Sequence, residues 1–214
     1  MKVDRHGRAK ILSTDEIQLL FNEGFTLNPT RDRTLFAVCL YTACRINECV
    51  TLKIQDVYDS KKQVRPTLII RKGNTKRKLA TRMIPVIEDF RLKLKQFKPP
   101  TTRGYLFPGR HGKNHLNPGS ADWILREACK RVGIEGVSTH SFRRTALTQM
   151  SNAGVPIRII QEISGHRTLD ELYKYLEVQP EQVRGAIANL SMLTPVDEEV
   201  YLRKQALSPA LAMM

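Results

Sequence analysis

The sequence predicts a mainly α-helical protein with one small antiparallel β-sheet, which is an α+β fold class. Two observations lead to this prediction. Apolar residues recur at helical spacing in most segments, and capping residues, glycine or proline bound these segments. Two short aliphatic stretches flank a single basic turn, as the strands of a β-hairpin do. The 214 residues, 41% of them hydrophobic, suffice for one sizeable core.

Two helices are predicted in the first fifty residues. Ser13-Thr14-Asp15-Glu16 has the pattern of a capping box, and the apolar stripe behind it ends at Gly24. A second, more buried helix is predicted from about Arg31 to Ala43. Ile46 and Val50 continue its helical spacing, so we expect the helical path to extend beyond position 45.

A β-hairpin is predicted in the middle of the chain. Its strands are the aliphatic stretches Val64 to Arg71 and Leu79 to Ile87, and its basic turn begins with Lys72-Gly73-Asn74-Thr75-Lys76. An amphipathic helix from Glu88 to Phe97 follows, and Pro99-Pro100 stops it.

The C-terminal half is predicted to be helical after a Gly- and Pro-rich loop at 103–119. The predicted helices run from Ser120 to about Val132, from Thr139 to about Asn152, from Pro156 to before Gly165, from Thr168 through Leu176, and from Gln179-Pro180 to about Leu190. We expect residues 1–192 to form one domain. Residues 193–214 would be a charged tail that could exchange between subunits.

The charge balance predicts a polyanionic partner. Lys and Arg number 35 against 21 Asp and Glu, which gives a net charge of +14. The longest apolar run, Leu35 to Cys44, is too short to span a bilayer, so no membrane is expected. The N-terminus is polar and predicts no secretory signal. We therefore expect a cytoplasmic, nucleoid-associated protein.

The cysteine pattern predicts reduced thiols and no metal site. The four cysteines include no Cys-x-x-Cys pair, and no histidine lies at a zinc-finger distance from them. The first three, Cys39, Cys44 and Cys49, are five residues apart, and this spacing does not place them on one face of a single helix.

Two arginines are candidates for holding a phosphodiester. Breaking this linkage without a metal requires cations for the phosphate oxygens, and a guanidinium presents two parallel donors that stay protonated. Arg45 lies within an apolar stretch, where an arginine must be paired or functional. A structural ion pair with Glu48 is the alternative for Arg45. Arg143 is the second candidate.

Two histidines accompany these arginines. His140 and Arg143 are three residues apart at a predicted helix start, so they share a face. His166 follows Ser164-Gly165 in a tight turn, where it could donate to a phosphate oxygen. A capping or core role for His140 and a turn role for His166 are the alternatives.

A tyrosine and a lysine complete the candidate chemistry. A tyrosine hydroxyl titrates near 10, so it needs cations or a base nearby to act as a nucleophile. Tyr175 is preferred to Tyr173, because Tyr173 is expected to extend the core stripe of a shared helix. A lysine of the hairpin turn, Lys72, Lys76 or Lys78, could protonate the departing 5′ hydroxyl. A solvated basic turn is the alternative for at least two of them.

The segments that carry these candidate residues, taken in chain order, resemble the catalytic domain of the tyrosine recombinase, or phage integrase, family. The resemblance covers about residues 10 to 190. The segments that carry the resemblance are Thr42-Ala-Cys-Arg45-Ile-Asn-Glu48 with Leu52 and Asp56-Val57, Thr75-Lys76 with Arg82-Met-Ile-Pro85, His140-Ser-Phe-Arg143-Arg144-Thr, and Ser164-Gly165-His166 followed by Tyr175-Leu-Glu-Val178.

The resemblance implies a role for each candidate residue. Arg45 and Arg143 clamp the scissile phosphate, and His140 and His166 assist proton transfer and phosphate binding. Lys76 is the general acid, with Lys72 as the alternative, and Tyr175 forms a 3′-phosphotyrosyl link to DNA. The implied protein is a site-specific recombinase that needs neither metal nor ATP. Its implied partner is double-stranded DNA, bound as a tetramer on paired sites, with a monomer possible in the absence of DNA.

The chain also departs from the family pattern. Ala43-Cys44 replaces the usual glycine before the first arginine, and Ser164 replaces the usual leucine of Leu-Gly-His. Family members usually carry an N-terminal helical domain, while only about ten residues precede the match here, as expected of a fragment or of a minimal form. The alternatives are a type IB topoisomerase-like enzyme and a non-catalytic DNA-binding regulator. A two-metal nuclease is disfavoured, because the carboxylates show no metal-binding arrangement.

Overall fold

The computed structural model of the chain describes residues 8–74, 80–99, 101–178 and 180–188. These described residues fall into two compact units, 8–176 and 177–188. The predicted boundary between residues 192 and 193 and the tail 193–214 lie outside the described residues, so both stay predictions.

The first unit is mainly helical and holds one two-stranded sheet, which confirms the predicted fold class. Its helices are α1 (Thr14–Leu19), α2 (Pro29–Thr42), α3 (Ile46–Val50), α4 (Glu88–Gln96), α5 (Pro118–Arg131), α6 (Thr139–Asn152), α7 (Ile157–Ser164) and α8 (Leu169–Tyr173). A π-helical turn, Leu20–Gly24, continues α1. The strands are β1 (Thr67–Ile70) and β2 (Arg82–Pro85), and the second unit contains α9 (Pro180–Ala188).

The core lies around helix α2, which packs against α4 and α6. Aromatic rings connect these layers: Phe36 of α2 stacks on Phe142 of α6 with ring centroids 5.1 Å apart, and Phe25 stacks on Phe36 at 5.2 Å. Stacked buried rings contribute large apolar contact areas. They fix α6, and with it Arg143, against the end of α2.

Two predicted helix starts are confirmed by their caps. The Glu16 amide donates to the Ser13 hydroxyl at 3.1 Å, and the Ser13 amide donates to the Glu16 carboxylate at 3.0 Å. The Glu171 amide donates to the Thr168 hydroxyl at 3.3 Å, so Thr168 caps α8. Both caps depend on residues close together in the chain and were therefore predictable from the sequence.

The predicted start of α5 at Ser120 is wrong. The Asn117 side chain accepts the Gly119 amide at 2.7 Å, and Pro118 occupies the first helical turn. A proline there loses no helical hydrogen bond, so the helix begins earlier than its hydroxyl residue suggested.

Both strands are shorter than predicted. Leu68 pairs with Ile84, and Ile70 pairs with Arg82, in an antiparallel register. Val64 makes only an isolated bridge to Tyr58. Because side chains alternate along a strand, Arg82 projects to the same buried face as Ile84.

The helical path expected beyond position 45 is interrupted between α2 and α3. Ala43 adopts a left-handed conformation with φ of 47°, which ends α2, and a new helix begins at Ile46. Such a conformation is uncommon for alanine. The interruption redirects the chain, and Arg45 occupies the N-cap of the new helix.

Over the ranges described above, none of the helices has both the length and the apolar character needed to cross a bilayer.

Candidate active site

Four of the predicted residues meet at one place in the first unit. Arg45 comes from the junction of α2 and α3, Arg143 from the second turn of α6, and His166 from the turn after α7. Tyr175 lies two residues past the end of α8. These segments are distant in sequence, and their convergence is set by the packing of α2, α6 and α7.

Arg143 is the buried centre of the site, with a fully buried side chain. Its Nη1 donates to the Ala43 carbonyl oxygen, and its Nη2 donates to the Ser164 carbonyl oxygen at 3.0 Å and to Nε2 of His166 at 2.8 Å. Burial, together with the nearby arginines, lowers the pKa of Arg143 to about 10, so the guanidinium stays charged at neutral pH. Its Nε has no hydrogen-bond partner among the described residues.

Arg45 shares one carboxylate with a second guanidinium. Its Nη1 lies 3.3 Å from Oε1 of Glu48, and its amide donates to Oε2 of Glu48 at 2.9 Å. Arg82 donates from Nη2 to the same Oε2 at 2.6 Å. The structural ion pair considered as the alternative for Arg45 is therefore present. Because Glu48 also pairs with Arg82, one negative charge is shared by two positive ones. The Arg45 side chain is 23% exposed, so solvent reaches it despite the ion pair.

His166 is neutral in this arrangement. Burial lowers its pKa to about 3, and the positive charges of Arg143, Arg45 and Arg82 add to the effect. Because Arg143 donates to Nε2, that nitrogen is the acceptor. Nδ1 lies 2.8 Å from the Ser164 hydroxyl, which itself donates to the Gln161 carbonyl oxygen at 3.2 Å. Nδ1 therefore carries the proton and donates it to Ser164.

Tyr175 rather than Tyr173 faces the cluster. The ring centroids of Tyr175 and His166 are 4.9 Å apart, and Cζ of Arg143 lies 5.5 Å from the Tyr175 centroid. The reasoning from one continuous helix is wrong, because α8 ends at Tyr173. The expectation that Tyr173 extends the core stripe is also wrong, because its side chain is 55% exposed. The Thr148 hydroxyl donates to the Tyr175 carbonyl oxygen at 3.3 Å and helps to fix this segment.

Of the other predicted residues, the structure describes His140 and Lys72 but not Lys76 or Lys78. His140 lies in the first turn of α6, one turn before Arg143, and is exposed. Lys76 lies outside the described residues, as does Lys78. Lys72 is described and exposed, and its amide donates to the Thr81 hydroxyl at 3.1 Å. Its neighbour Asn74 donates to the Thr51 carbonyl oxygen at 3.2 Å, which ties the base of the turn to the end of α3.

Arg82 and Ser164 also belong to the site, although no role was predicted for either of them. Arg82 donates from Nη1 to the Ile163 carbonyl oxygen at 2.7 Å and thereby links β2 to α7. The signal that could have found it is the strand alternation, which puts a charged residue on a buried face where it requires a partner. Ser164 fixes the tautomer of His166, a role that the usual leucine could not perform.

The site can bind an anion. An open cleft of about 180 Å³ adjoins His166 and is lined by the basic residues Arg82, Arg158 and Arg167. Guanidinium groups, which present two parallel donors, are suited to the oxygens of a phosphodiester. The Tyr175 ring is placed where its hydroxyl and such a phosphate would share the same positive field.

Comparisons with known proteins agree with this architecture. The Phage integrase family profile matches residues 10–182. Tyrosine recombinase XerA of Pyrococcus furiosus is 29% identical over 188 residues, which are 86% of this chain and 63% of the relative. Tyrosine recombinase XerD of Listeria monocytogenes is 28% identical over 182 residues, which are 80% of this chain and 59% of the relative. The chain thus spans less than two thirds of the length of these relatives.

Solved structures show the same fold. The crystal structure of XerA recombinase matches with a TM-score of 0.68 at 24% identity, over 86% of this chain and 66% of that chain. The XerH site-specific recombinase bound to difH substrate matches with a TM-score of 0.64 at 18% identity, over 88% of this chain and 56% of that chain. The expectation of this fold is confirmed.

Proposed function

Because this chain belongs to the phage integrase family, we propose that it is a site-specific DNA recombinase that works through a 3′-phosphotyrosyl intermediate. The observation that carries the proposal is the position of Tyr175, whose ring lies 4.9 Å from that of His166 and 5.5 Å from the guanidinium carbon of Arg143. A nucleophile and a buried cation thus adjoin the neutral imidazole that lines the cleft.

The first half-reaction is an attack of the Tyr175 hydroxyl on a DNA phosphorus. The new bond is Tyr175 Oη to phosphorus, and the bond between phosphorus and the 5′ oxygen breaks. The hydroxyl proton passes to the imidazole of His140, because Nε2 of His166 already accepts from Arg143 and Nδ1 of His166 donates to Ser164. The leaving 5′ oxygen takes up a proton from a lysine of the hairpin, Lys76, or Lys72 in its place. Because one phosphodiester replaces another, the bond energy is retained and no ATP is required.

Arg45 and Arg143 stabilise the charge that builds on the phosphate oxygens during this attack. A preorganised donor of this kind contributes roughly 3 to 4 kcal/mol to a transition state, so two of them supply a large part of the rate. Arg143 is suited to the task because it is charged, buried and held by carbonyl oxygens of Ala43 and Ser164. The two guanidinium groups supply the electrostatic stabilisation that a metal ion provides in metal-dependent nucleases.

Double-stranded DNA is the proposed partner. The net charge of +14 favours it, and the matching XerH structure is described as bound to its difH substrate. We further propose that a tetramer forms on paired sites, since exchange requires four strands to be cut and joined. A DNA-free monomer and a location at the nucleoid in the cytoplasm are consistent with this role.

The proposal is tested with a suicide DNA site, in which a nick lets the freed 5′ fragment diffuse away and traps the covalent complex. The wild-type protein is expected to form a protein–DNA adduct in excess EDTA that survives denaturation. Tyr175→Phe is expected to abolish the adduct while it leaves DNA binding intact. Tyr173→Phe is the matched control, because Tyr173 is exposed and lies outside the cluster.

Two outcomes would contradict the proposal. An adduct that survives Tyr175→Phe but disappears with Tyr173→Phe would show that the nucleophile is misassigned. If the wild-type protein binds a DNA site but forms no adduct on it, the protein is a non-catalytic regulator.

A further inference from the structure

Three cysteine thiols converge behind the proposed active site. The Sγ atoms of Cys39, Cys44 and Cys49 all lie within 4.8 Å of one another, and the three residues are at most 1% exposed. All three are free thiols. The fourth cysteine, Cys129, is also buried but does not belong to this group.

The convergence results from the interruption between α2 and α3. Cys39 lies in the last turns of α2, and Cys49 lies in α3. The left-handed residue Ala43 turns the chain, and the Cys44 sulfur lies close to the other two. The spacing of five residues excluded this group only on the assumption of a single continuous helix, and the chain does not form one.

The separations suit a thiophilic cation. Two thiolates on a tetrahedral zinc ion with bonds of about 2.3 Å are about 3.8 Å apart, so these sulfur atoms need to move by no more than about 1 Å to share one ion. Three thiolates and a divalent cation carry a net charge of −1. Arg45 and Arg82 share the single carboxylate of Glu48, and this excess of positive charge offsets the negative charge of the site.

Thiolate is the form that binds metal, so the thiols release their protons when an ion binds.

We propose that Cys39, Cys44 and Cys49 form a binding site for one divalent cation of the zinc group. Cys44 immediately precedes Arg45, and Cys49 immediately follows Glu48. The bound ion therefore fastens together the two segments that hold the Arg45–Glu48 pair. The site does not depend on the proposed recombinase function, and its test needs no DNA.

The probe is Cd²⁺ titrated into the full chain after reduction and removal of metals. The charge-transfer absorption of cadmium thiolates, which scales with the number of coordinating sulfur atoms, is expected to saturate at one equivalent with the intensity of three thiolates. A competing chelator then gives the affinity. The affinity is expected to fall as pH is lowered, because protons compete for the thiolates.

The variants Cys39→Ser, Cys44→Ser and Cys49→Ser are each expected to weaken Cd²⁺ binding by at least about 100-fold, since loss of outer-shell partners alone costs 10- to 100-fold. Cys129→Ser is the matched control and is expected to bind Cd²⁺ as the wild-type protein does. If a serine variant fails to fold, the stoichiometry and the thiolate count of the wild-type protein decide the question.

The proposal is overturned by any of three results: no saturation near one equivalent, an absorption that corresponds to one or two thiolates, or loss of binding with Cys129→Ser. Each would leave the three cysteines as small apolar residues of the core, which is the common role of buried cysteine.

Discussion

The Nη2 atom of Arg82 lies 2.6 Å from Oε2 of Glu48, and this ion pair is almost fully buried. The same guanidinium donates from Nη1 to the Ile163 carbonyl oxygen at 2.7 Å. Arg82 therefore connects strand β2 to α3, which follows Arg45, and to α7, which leads to His166. We infer that Arg82 is a positioning residue for both.

Replacing Arg82 by methionine is expected to destabilise the protein and the site together. It leaves the buried Glu48 carboxylate with Arg45 as its remaining arginine partner, and breaking a buried pair in this way costs about 3 to 5 kcal/mol. Urea denaturation measures this loss, and adduct formation on the suicide site should fall with it.

The double variant Arg82→Met with Glu48→Gln is the control for the buried charge. It should recover stability, because no uncompensated carboxylate remains, but it should not recover adduct formation, because Arg45 has lost its orienting carboxylate. Full recovery of both would show that Arg82 acts on stability alone.

Gly165→Ala is expected to disturb the contacts of Arg82 with Glu48 and with the Ile163 carbonyl oxygen. Gly165 has φ of 64°, and an added Cβ would lie 2.9 Å from Cδ and Nε of Arg82. Gly154→Ala is the matched control, since its φ is 75° and its Cβ would meet nothing within 4 Å. The control should lose only the backbone cost of about 1 to 2 kcal/mol.

The difference in the free energy of unfolding between these two variants isolates the contact with Arg82. We expect Gly165→Ala to be the less stable of the two and to reduce adduct formation, while Gly154→Ala leaves the reaction unchanged. Equal losses in both variants would mean that Arg82 moves aside without consequence.

Local signals in the sequence predicted the helices and the hairpin, as the capping box at Ser13 illustrates. The family resemblance, which the comparisons confirm, predicted which segments along the chain carry the site residues. Contacts between distant segments were not predictable, because no local pattern encodes which carbonyl oxygen receives Arg143 or which strand residue meets Glu48. The left-handed Ala43 was also missed, since alanine ordinarily favours helix.

His166 is expected to make the protein less stable in mild acid. Its pKa is about 3 in the folded chain, against an ordinary value of 6.5. Between these values the unfolded chain binds the extra proton, so stability rises with pH by up to about 1.4 kcal/mol per unit and is complete above 6.5. A folded chain that charges His166 near neutrality would contradict this.

The pH dependence is measured by urea denaturation from pH 4 to pH 8. The His166→Asn variant should show a shallower rise than the wild-type protein, and the difference isolates His166 from the titrating carboxylates. His111→Asn is the control because His111 is exposed, and it should follow the wild-type curve.

DNA affinity is expected to fall steeply with salt, and Arg167 is expected to contribute to that slope. Arg167 is exposed and lines the cleft beside His166, where a DNA phosphate would release a counterion on binding. In fluorescence anisotropy titrations, Arg167→Gln should reduce the slope of log affinity against log salt by roughly one unit, the change for one phosphate contact. Arg126→Gln is the control, because Asp122 already balances Arg126 at 3.2 Å. A flat response of the wild-type protein would contradict the DNA-binding role, whereas an unchanged slope in Arg167→Gln alone would place the DNA backbone elsewhere on the protein.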